Sequence, residues 1–543
     1  MDRLLYNDLY PEVEENMSNS NIGALKNKNV RNHLFIVHGI INSVMKGESK
    51  CIDIQIYDIK QAFDALWLQD CMNDLYDSLP ATGQNDKLSL LYNANCDNNV
   101  AVKTPVGQTD RTKINEIVMQ GVTWGPLKCS NSMDKIGKLC ENTGEHLYTY
   151  KNIVRIPILT MVDDTFAISE CGHKSLAINQ FINSHIELKK LRMHTPDETG
   201  KTKCHKIHVG SSNLVCPQLH VHSTTMKEVS EDSYLGDLIR SDGKNTSSLK
   251  NRVSRGVGCL SQISNLLERV SFGRYYFQIA LSLREAIFLN SVLTNIEVWY
   301  GIRKYEIEEL ETLDRILLCE ILALPRTTPT EALYLETGCL NIGTIVKMRR
   351  LNYLQYLLKS DENSMLSKFF KTQMSFPVKD DWTEQVQQDL IDFKISENFD
   401  WIKTASVYKF RKMIKKRGRE FALLEFNKQK EGHSKLECLE YDELKIQGYL
   451  RNKNISVTQA QILAKFRTRM ANYANNYGGT NQDLPCRLCS KHLDNQDEIY
   501  NCDFNKKNVQ LQGSYEDLFR SDVEVPVIKS LEALYKLREN RLS

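Results

Sequence analysis

The spacing of hydrophobic residues divides this chain into a first part with short alternating runs and a second part with helical periodicity. In the first part, residues 52–57 alternate isoleucine with other residues, and this period of two predicts a half-buried β-strand. Apolar runs on both sides of Asp163 and Asp164 predict a tight hairpin with this pair at its turn. We therefore predict strands mixed with helices over residues 51–240.

From about residue 245 onward the periodicity becomes helical. One set of apolar residues recurs at intervals of three or four and ends at a proline: Ile307, Leu310, Leu313, Leu317, Ile321, Leu324 and Pro325. Thr328, Pro329 and Glu331 then predict the N-cap, the first position and a capping glutamate of the next helix, which Gly338 ends.

The length of 543 residues exceeds what one hydrophobic core supports, so about two to four domains are expected. We predict their boundaries near residues 240, 345 and 480, where the pattern changes. The sequence has no apolar run of 18 residues and no signal-peptide-like start, and its fifteen cysteines are irregularly spaced. These features predict an intracellular protein, in cytoplasm or nucleus, with reduced thiols and no membrane partner.

Positive charge is concentrated in one segment. The whole chain has a net charge of only +2, which gives no indication of a nucleic-acid partner. Residues 401–430, however, contain ten Lys or Arg residues against two Glu, a local net charge of +8, interleaved with Phe410, Phe421 and Phe426. A surface that follows a phosphate backbone and a solvated helix face are both consistent with this pattern.

Carboxylates stand at the ends of two predicted strands. Asp58 follows the strand at 52–57, and Asp163 and Asp164 occupy the predicted hairpin. An isolated Asp-Asp turn is usually only a turn, but two carboxylate sites that face each other suit a pair of Mg²⁺ ions. Such ions lower the pKa of a primer 3′-hydroxyl and stabilise the charge on the reacting phosphorus. The pattern therefore predicts the metal site of a template-directed polymerase.

Two features near these carboxylates have alternative interpretations. Phe63, five residues after Asp58, is either a core aromatic on the next helix or a ring beneath an incoming sugar, where it excludes a 2′-hydroxyl. Gln120 and Gly121, with Gly125, form either a simple loop or a turn that brings backbone close to a nucleotide.

Five short segments, in this order and spacing, resemble motifs of the reverse transcriptases of non-LTR (LINE-like) retrotransposons. The interval from Asp58 to Gln120 is 62 residues, and that from Gln120 to Asp163 is 43 residues. The segments resemble, in order, the first palm motif, the glycine-rich motif, the aspartate pair, a lysine motif and the primer-grip hairpin: residues 58–64, 120–127, 161–164, 201–204 and 234–236. The match is good from the start of the chain to residue 345 and looser beyond it.

The resemblance implies an α+β right-hand polymerase: a palm of antiparallel sheet with helices, partial fingers, a helical thumb and a helical C-terminal extension. The implied segments are partial fingers with the first palm strand, the palm with fingers elements, the thumb, the basic helical extension and a Cys-containing end: residues 1–57, 58–240, 241–345, 346–480 and 481–543.

The resemblance also implies an RNA-directed DNA polymerase that uses an RNA template, a DNA primer, dNTPs and two Mg²⁺ ions. Its implied site residues are grouped by role. Metal binding and catalysis are assigned to Asp58, Asp163 and Asp164. The position near the leaving group is assigned to Lys203, with Lys201 as the second candidate. Nucleotide or template contacts fall to Phe63 as the sugar gate, Gln120, Gly121, Lys26 and Arg31, and duplex contacts in the thumb to Lys250, Arg252 and Arg255.

Three departures from the family pattern lead to further expectations. The early basic motifs are missing and residues 23–26 match only partly, so we expect truncated fingers. No endonuclease domain precedes the palm, so we expect no nicking of a target by this polypeptide alone. Near the C-terminus, Glu498 stands where the family's zinc-knuckle histidine is expected, and His492 would substitute only with a changed loop.

Cys486, Cys489 and Cys502 are therefore candidate zinc ligands, with free thiols as the alternative. The competing interpretation of the whole chain is an inactive, nucleic-acid-binding relic of a retroelement reverse transcriptase, which the truncated fingers favour. A third interpretation, an RNA-templated RNA polymerase, shares the carboxylates, but Phe63 counts against it. The sequence predicts no oligomeric state.

Overall fold

The computed structural model describes most of the chain, which folds into two compact units. Unit 1 comprises Met1–Asn245, Val298–Gly301 and Leu357–Gln385, and unit 2 comprises Thr246–Glu297, Ile302–Tyr356 and Val386–Ser543. The described residues are 2–79, 85–96, 98–114, 123–143, 146–195, 204–211, 217–270, 273–431, 433, 436, 438–439, 441–476 and 484–542.

All strands among the described residues lie in unit 1. In chain order they are β1 Ile52–Tyr57, β2 Asn98–Val100, β3 Lys103–Thr104, β4 Gly107–Gln108, β5 Thr112–Ile114, β6 Tyr148–Tyr150, β7 Val154–Ile156, β8 Leu159–Met161, β9 Asp164–Glu170, β10 His205–Val209, β11 His220–Val221, β12 Thr224–Thr225, β13 Lys227–Glu228, β14 Glu231–Tyr234 and β15 Asp237–Arg240.

Helices occur throughout the chain. In order they are α1 Asp2–Asn16, α2 Val30–Met45, α3 Ala62–Ala65, α4 Leu68–Asp77, α5 Asn85–Asn95, α6 Gly125–Thr143, α7 His173–Leu188, α8 Thr246–Val270, α9 Tyr276–Leu283, α10 Asn290–Val292, α11 Lys304–Leu322, α12 Thr330–Thr337, α13 Ile342–Lys359, α14 Met365–Ser375, α15 Trp382–Asp392, α16 Phe399–Thr404, α17 Val407–Lys430, α18 Gly448–Arg451, α19 Val457–Arg467, α20 Asp503–Asn508 and α21 Val525–Leu542, with a π-helical turn at Arg284–Leu289. Among the described residues, none of these helices combines the length and apolar character that crossing a membrane requires.

The largest sheet has the strand order β13-β10-β1-β9-β8. Strand β1 is central: it pairs antiparallel with β10 and β9, β9 pairs antiparallel with β8, and β13 joins β10 in parallel. All six residues of β1 are buried. The predicted mixture of helices and sheet is confirmed, and the right-hand polymerase arrangement stays a prediction.

One face of β1 packs on α7 through polar as well as apolar contacts. Gln55 Nε2 donates a hydrogen bond to the Ser175 carbonyl oxygen at 2.9 Å, and Asn179 Nδ2 donates to Tyr57 Oη at 2.8 Å. Because side chains alternate along a strand, these bonds fix which residues of β1 point toward α7. Asp58 then leaves the strand on the opposite face.

Helix α2 is buried on nearly every side. His33 and the four residues that follow it are all 0% exposed. A helix that is apolar all round belongs in a core. The Asn29 side chain caps it by accepting a hydrogen bond from the Arg31 backbone N–H at 3.0 Å.

In unit 2 the predicted helix ends agree with the structure better than the predicted helix start. Helix α11 ends at Leu322, and Ala323 follows it in the left-handed region with φ 52°. Helix α12 ends before Gly338, whose φ of 66° and close approach to the backbone of Lys445 require glycine. The prediction of Thr328 as N-cap is wrong, because its Oγ1 donates to the Pro325 carbonyl oxygen and the helix begins at Thr330.

The two units divide the chain differently from the five predicted segments. The boundary at residue 245 lies near the predicted end of the palm, but residues 357–385 group with unit 1 rather than with the predicted helical extension. The five segments remain a prediction about functional parts.

Candidate active site

The register of the central sheet brings the predicted carboxylates to one edge. Tyr57, the last residue of β1, pairs with Thr165 on β9. Asp58 directly follows β1, and Asp164 directly precedes Thr165 on β9. Continuing the antiparallel register by one residue therefore places these two side by side. Tyr57 points toward α7, and successive side chains along a strand point to opposite faces. Asp58 and Asp164, one position beyond the Tyr57–Thr165 pair, therefore lie on the face opposite to α7.

A two-residue turn holds the third carboxylate. Met161 at the end of β8 pairs with Asp164 at the start of β9, which leaves Val162 and Asp163 as the turn. Val162 has φ 61°, a left-handed conformation that is unusual for a β-branched residue and costs about 1–2 kcal/mol. The predicted hairpin is present, but of the two aspartates only Asp163 lies in its turn, because Asp164 is the first residue of β9.

The electrostatics of this edge favour a cation. Asp58 is half-buried, and no described residue donates a hydrogen bond to its buried Oδ2. Burial and the nearby Asp58 carboxylate raise the pKa of Asp163 above its ordinary value. Asp164 is exposed and partly screened by solvent, yet burial of its surroundings and the carboxylates of Asp163 and Asp58 raise its pKa to about 6. Three carboxylates that repel one another, one of which has an oxygen without a hydrogen bond, are suited to binding a divalent metal ion.

The three carboxylates lie near one another, but they do not form a single compact group of ligand atoms. Among the described residues, they are not one of the groups whose ligand atoms all lie within 4.8 Å of one another. Two ions about 4 Å apart need carboxylates spread over a wider area than one ion does.

His194 is a neighbour of this site that the sequence analysis missed. Its Nε2 lies 3.5 Å from Asp58 Oδ2, and its backbone N–H donates to the Asp58 carbonyl oxygen at 2.9 Å. A lone histidine between a helix and a strand gives no sequence signal for such a contact. The His194 side chain is therefore a direct neighbour of the Asp58 carboxylate.

Phe63 lies on the short helix α3, five residues beyond Asp58. It is half-buried and packs against the hydrophobic cluster that contains Tyr57 and Ile59. Gln61, with φ 47°, turns the chain sharply between Asp58 and this helix. The ring is thus part core and part surface, which leaves both predicted roles open.

Lys26 and Arg31, predicted to bind substrate, are engaged locally. Lys26 Nζ lies 4.6 Å from the centre of the Tyr10 ring, a cation–π contact. Arg31 Nε donates to Asn29 Oδ1 at 3.1 Å. The contacts described for both side chains are thus with residues other than the three aspartates.

Three other predicted site residues, Gln120, Gly121 and Lys203, lie outside the described residues, as does Lys201. Their neighbours are described. Trp124 is buried and meets Tyr6 edge to face at 5.2 Å between ring centres. Cys204 Sγ lies 3.4 Å from the Asp58 backbone nitrogen, which donates to it. The residue that follows Lys203 in the sequence therefore contacts Asp58.

A buried network from the N-terminal segment supports the Asp163 turn. The backbone N–H of Ile22 donates to the Thr160 carbonyl oxygen at 3.1 Å, so this segment runs along the free edge of β8. Asn21 Nδ2 donates to the Ser130 carbonyl oxygen, and Gly23 N–H donates to Asn21 Oδ1. At Gly23 the fit is so tight that an added Cβ would lie 2.5 Å from the Val162 nitrogen and from Ser130 Oγ.

Gly23→Ala is therefore expected to displace Val162 and with it Asp163. The overpacking should cost about 1–3 kcal/mol of stability. Because the sequence predicts Asp163 as a metal ligand of a polymerase, primer extension should fall further than RNA binding. Thermal unfolding, primer extension and RNA binding measure the three effects. Gly137→Ala is the matched control, since its Cβ meets nothing nearer than 3.1 Å; equal losses in both variants would contradict this role.

The hairpin of β14 and β15 matches the segment that resembles a primer grip. Leu235 and Gly236 form its turn with φ 49° and 85°, as two-residue hairpins require. Tyr234 packs on Phe166 of β9 at 4.2 Å between ring centres, and its hydroxyl bonds His33 Nδ1 at 2.9 Å. Because His33 Nε2 bonds the Ser20 carbonyl, which only accepts, Nε2 carries the proton and the Tyr234 hydroxyl donates. Burial, which lowers the pKa of His33 to about 3, keeps this ring neutral.

The predicted cysteine cluster lies in unit 2. Cys486, Cys489 and Cys502 place their sulfur atoms within 4.8 Å of one another, and Cys486 and Cys502 are 3.9 Å apart. Among the described side chains this group contains neither His492 nor Glu498. Burial by itself raises the pKa of Cys489, but hydrogen bonds from the backbone N–H groups of the next turn bring it below the ordinary value. A thiolate is thus stabilised where a metal would need one.

The basic segment of unit 2 forms helix α17. Phe410 and Phe426 are buried in its apolar stripe and Phe421 is half-buried against Phe393, so these rings pack the interior rather than stack on bases. The cations face outward, and six are exposed: Lys409, Arg411, Lys412, Lys415, Lys416 and Lys428. Of the predicted thumb cations, Lys250 and Arg255 are exposed, but Arg252 is only 2% exposed and is not on the surface.

No protein-family model and no curated protein matches this sequence. Solved telomerase structures are similar to parts of it at 10–12% identity. Apo telomerase from Candida tropicalis has a TM-score of 0.35 and 11% identity, with 68% of this chain and 61% of that chain covered. The Candida tropicalis telomerase in complex with a TWJ fragment of telomeric RNA has a TM-score of 0.35 and 10% identity. The match covers 76% of this chain and 56% of that chain.

The telomerase from Candida albicans in complex with the same kind of RNA fragment has a TM-score of 0.32 and 12% identity. The match covers 74% of this chain and 57% of that chain. This chain thus spans less than two thirds of each of these telomerases. At such scores the likeness carries no argument about function, and the proposals below depend on the residues and their geometry.

Proposed function

We propose that this protein is an RNA-directed DNA polymerase that extends a primer with dNTPs by two-metal phosphoryl transfer. The observation that carries the proposal is the edge of the central sheet, where the buried Asp58 Oδ2 lacks a hydrogen-bond donor among the described residues beside two acids of raised pKa. Asp58, Asp163 and Asp164 would hold two Mg²⁺ ions, which when bound lower the pKa of the primer 3′-hydroxyl and offset charge on the triphosphate.

The chain's own contribution is to fix these ligands before the substrate arrives. Strands β1 and β9 hold Asp58 and Asp164 in register, and the left-handed Val162 with the packed Gly23 holds Asp163. Preorganised ligands need little rearrangement during the reaction, and this lowers the activation barrier. Lys203 is the proposed proton donor to pyrophosphate, by resemblance alone.

The exposed cations of α17 suit an RNA template. Five of the six lie within about two turns of this helix, at 409–416. Such a cluster of cations binds a phosphate backbone without reading sequence. Primer extension on an RNA template with dNTPs and Mg²⁺ or Mn²⁺ tests the proposal directly.

A second function is favoured by one observation: the N-terminal cations predicted to bind substrate are engaged locally, Lys26 by Tyr10 and Arg31 by Asn29. In that case the protein is a catalytically inactive, nucleic-acid-binding relic. RNA binding without any primer extension, in both Mg²⁺ and Mn²⁺, would decide for it.

Phe63 is the proposed sugar gate. Phe63→Val should raise ribonucleotide incorporation relative to deoxyribonucleotide incorporation by about tenfold or more, since relief of a clash of about 1.4 kcal/mol has that effect. Single-nucleotide insertion kinetics measure the ratio. Phe181→Val is the matched control, because Phe181 is also half-buried against the same cluster; an equal change in both variants, or none in Phe63→Val, would refute the gate.

We propose Cys486, Cys489 and Cys502 as zinc ligands, with an external ligand or water in the fourth coordination position. Cys486→Ser should lose about one zinc per chain, measured by elemental analysis of purified protein. Cys438→Ser is the matched control, since Cys438 is an exposed thiol of the same unit. Protein that holds no zinc at all, or that keeps its zinc in Cys486→Ser, would leave the three as free thiols.

A further inference from the structure

A second group of side chains with metal-binding chemistry lies in unit 1, at the opposite end of β1 from Asp58. Asp53 on β1, His208 on β10 and Cys171 just after β9 place an oxygen, a nitrogen and a sulfur within 4.8 Å of one another. Asp53 precedes Asp58 by five residues, about 17 Å of strand, and alternation puts it on the opposite face of the sheet. The group is therefore separate from the aspartate site.

Strand register explains why these side chains meet. Asp53 pairs directly with His208 across the β1–β10 ladder, and His208 Nδ1 lies 2.9 Å from Asp53 Oδ1. Cys171 follows the end of β9, the other neighbour of β1. Its Sγ lies 3.5 Å from His208 Nδ1 and 3.7 Å from Asp53 Oδ1.

The carboxylate of Asp53 has an unsatisfied oxygen. Asp53 is 0% exposed, and no described residue forms a hydrogen bond to its Oδ2. Ser169, its partner in the β1–β9 register, has a buried hydroxyl that likewise lacks a hydrogen bond within the described part of the chain. Burying a polar oxygen without a partner is costly, so a group that binds there stabilises the fold.

The local charges favour a divalent cation. Lys206 Nζ lies 4.0 Å from Asp53 Oδ1, but its closer partner is Glu228 at 2.8 Å, and these two charges cancel. Asp53 carries a charge of −1, and Cys171 would add a second negative charge when a bound cation displaces its thiol proton. A divalent cation neutralises both.

We propose that Asp53, Cys171 and His208 bind a divalent cation of the borderline class, represented by Zn²⁺, since oxygen, nitrogen and thiolate ligands together suit it. Tetrahedral ligands about 2.0–2.3 Å from the ion lie about 3.3–3.8 Å apart. Both distances to Cys171 already fit, and the Asp53–His208 pair has to open by about 0.4 Å or more. Binding releases the Cys171 thiol proton to solvent, and a water or Asp53 Oδ2 completes the coordination. This site does not depend on the proposed polymerase function.

The test is zinc binding to the full chain in a Cys486→Ser/Cys502→Ser background, which removes the other cysteine cluster. Competition with a chromophoric chelator should give about one Zn²⁺ per chain, and Cys171→Ser and His208→Gln should each weaken binding by about tenfold or more. With Co²⁺ as the probe, a thiolate charge-transfer band should appear and be lost in Cys171→Ser. Circular dichroism verifies that each variant is folded.

Two matched controls should keep the zinc. Cys51→Ser removes another half-buried thiol, two residues before Asp53. His205→Gln removes another histidine of β10, which bonds Asp232 at 2.6 Å instead. If the background chain binds neither Zn²⁺ nor Co²⁺, or if folded Cys171→Ser and His208→Gln bind as tightly as the controls, the proposal is wrong and the three side chains form only a hydrogen-bonded cluster.

Discussion

Asp163→Asn is expected to lower primer extension on an RNA template by about 10³-fold, equivalent to about 4 kcal/mol of transition-state stabilisation. The reason is its position in the turn between β8 and β9, beside Asp164 and within electrostatic reach of Asp58. An amide binds Mg²⁺ far less well than a carboxylate does. RNA binding should change by less than about twofold, because the proposed phosphate contacts come from cations elsewhere.

Stability without metal distinguishes loss of a ligand from loss of the fold. Folding raises the pKa of Asp163, so above that pKa its charge destabilises the folded state. Asparagine removes this charge, and the variant should therefore melt at the same or a higher temperature when divalent cations are absent. The rise in melting temperature that Mg²⁺ gives the wild type should be smaller in the variant.

Asp86→Asn is the matched control for the charge change, since Asp86 is an exposed aspartate in the first turn of α5. It should keep both primer extension and the Mg²⁺ effect. A well-folded Asp163→Asn protein that still extends primers at a rate close to that of the wild type would remove Asp163 from the metal site.

The sequence was sufficient for the parts of the site that depend on local pattern. The period of two over 52–57 predicted β1, and the apolar runs around Asp163 predicted the hairpin, since each depends only on residues near in the chain. The apolar residues between Ile307 and Leu324 predicted α11 equally well. The placement of Gln120 and Lys203 stays a prediction, because both lie outside the described residues.

Contacts between distant segments could not be predicted in the same way. Nothing local indicates that His194 meets Asp58, or that Gly23 leaves no room beside Val162, because both depend on how separate elements pack. The group of Asp53, Cys171 and His208 is another such case, since it is assembled by strand register.

Burial also overrides pattern for single residues. Phe410 and Phe426 were interleaved with cations in the sequence, yet helical geometry turns them inward while the cations face solvent. Thr328 has the side chain of an N-cap, but its hydroxyl bonds the Pro325 carbonyl oxygen first. Side-chain type alone does not decide between such competing local bonds.

A second large effect is expected in unit 2, where a buried carboxylate joins several segments. Glu336, at 0% exposure, accepts hydrogen bonds from Arg467 Nε at 2.8 Å, Tyr441 Oη at 2.6 Å and Tyr449 Oη at 2.8 Å. Burial by itself lowers the pKa of Arg467, but the Glu336 carboxylate overcomes this and holds the guanidinium charged. Arg467 also donates to the Leu518 carbonyl oxygen at 2.7 Å.

Glu336→Gln should destabilise unit 2 by about 3–5 kcal/mol, because it leaves the Arg467 charge buried without its counter-ion. The two units need not unfold together, so a local measurement is required. Hydrogen exchange followed by mass spectrometry should show faster exchange in peptides from α12 and α19, with little change in peptides from β1.

Two further variants make the result specific. Glu308→Gln breaks an ion pair with Lys304 whose side chains are 57% and 91% exposed, and it should cost no more than about 1 kcal/mol. Adding Arg467→Met to Glu336→Gln removes the unpaired charge and should recover part of the loss. If Glu336→Gln costs no more than Glu308→Gln, or if the double variant is less stable than the single one, Glu336 is not needed to balance the charge on Arg467. Apolar packing would then hold these segments together instead.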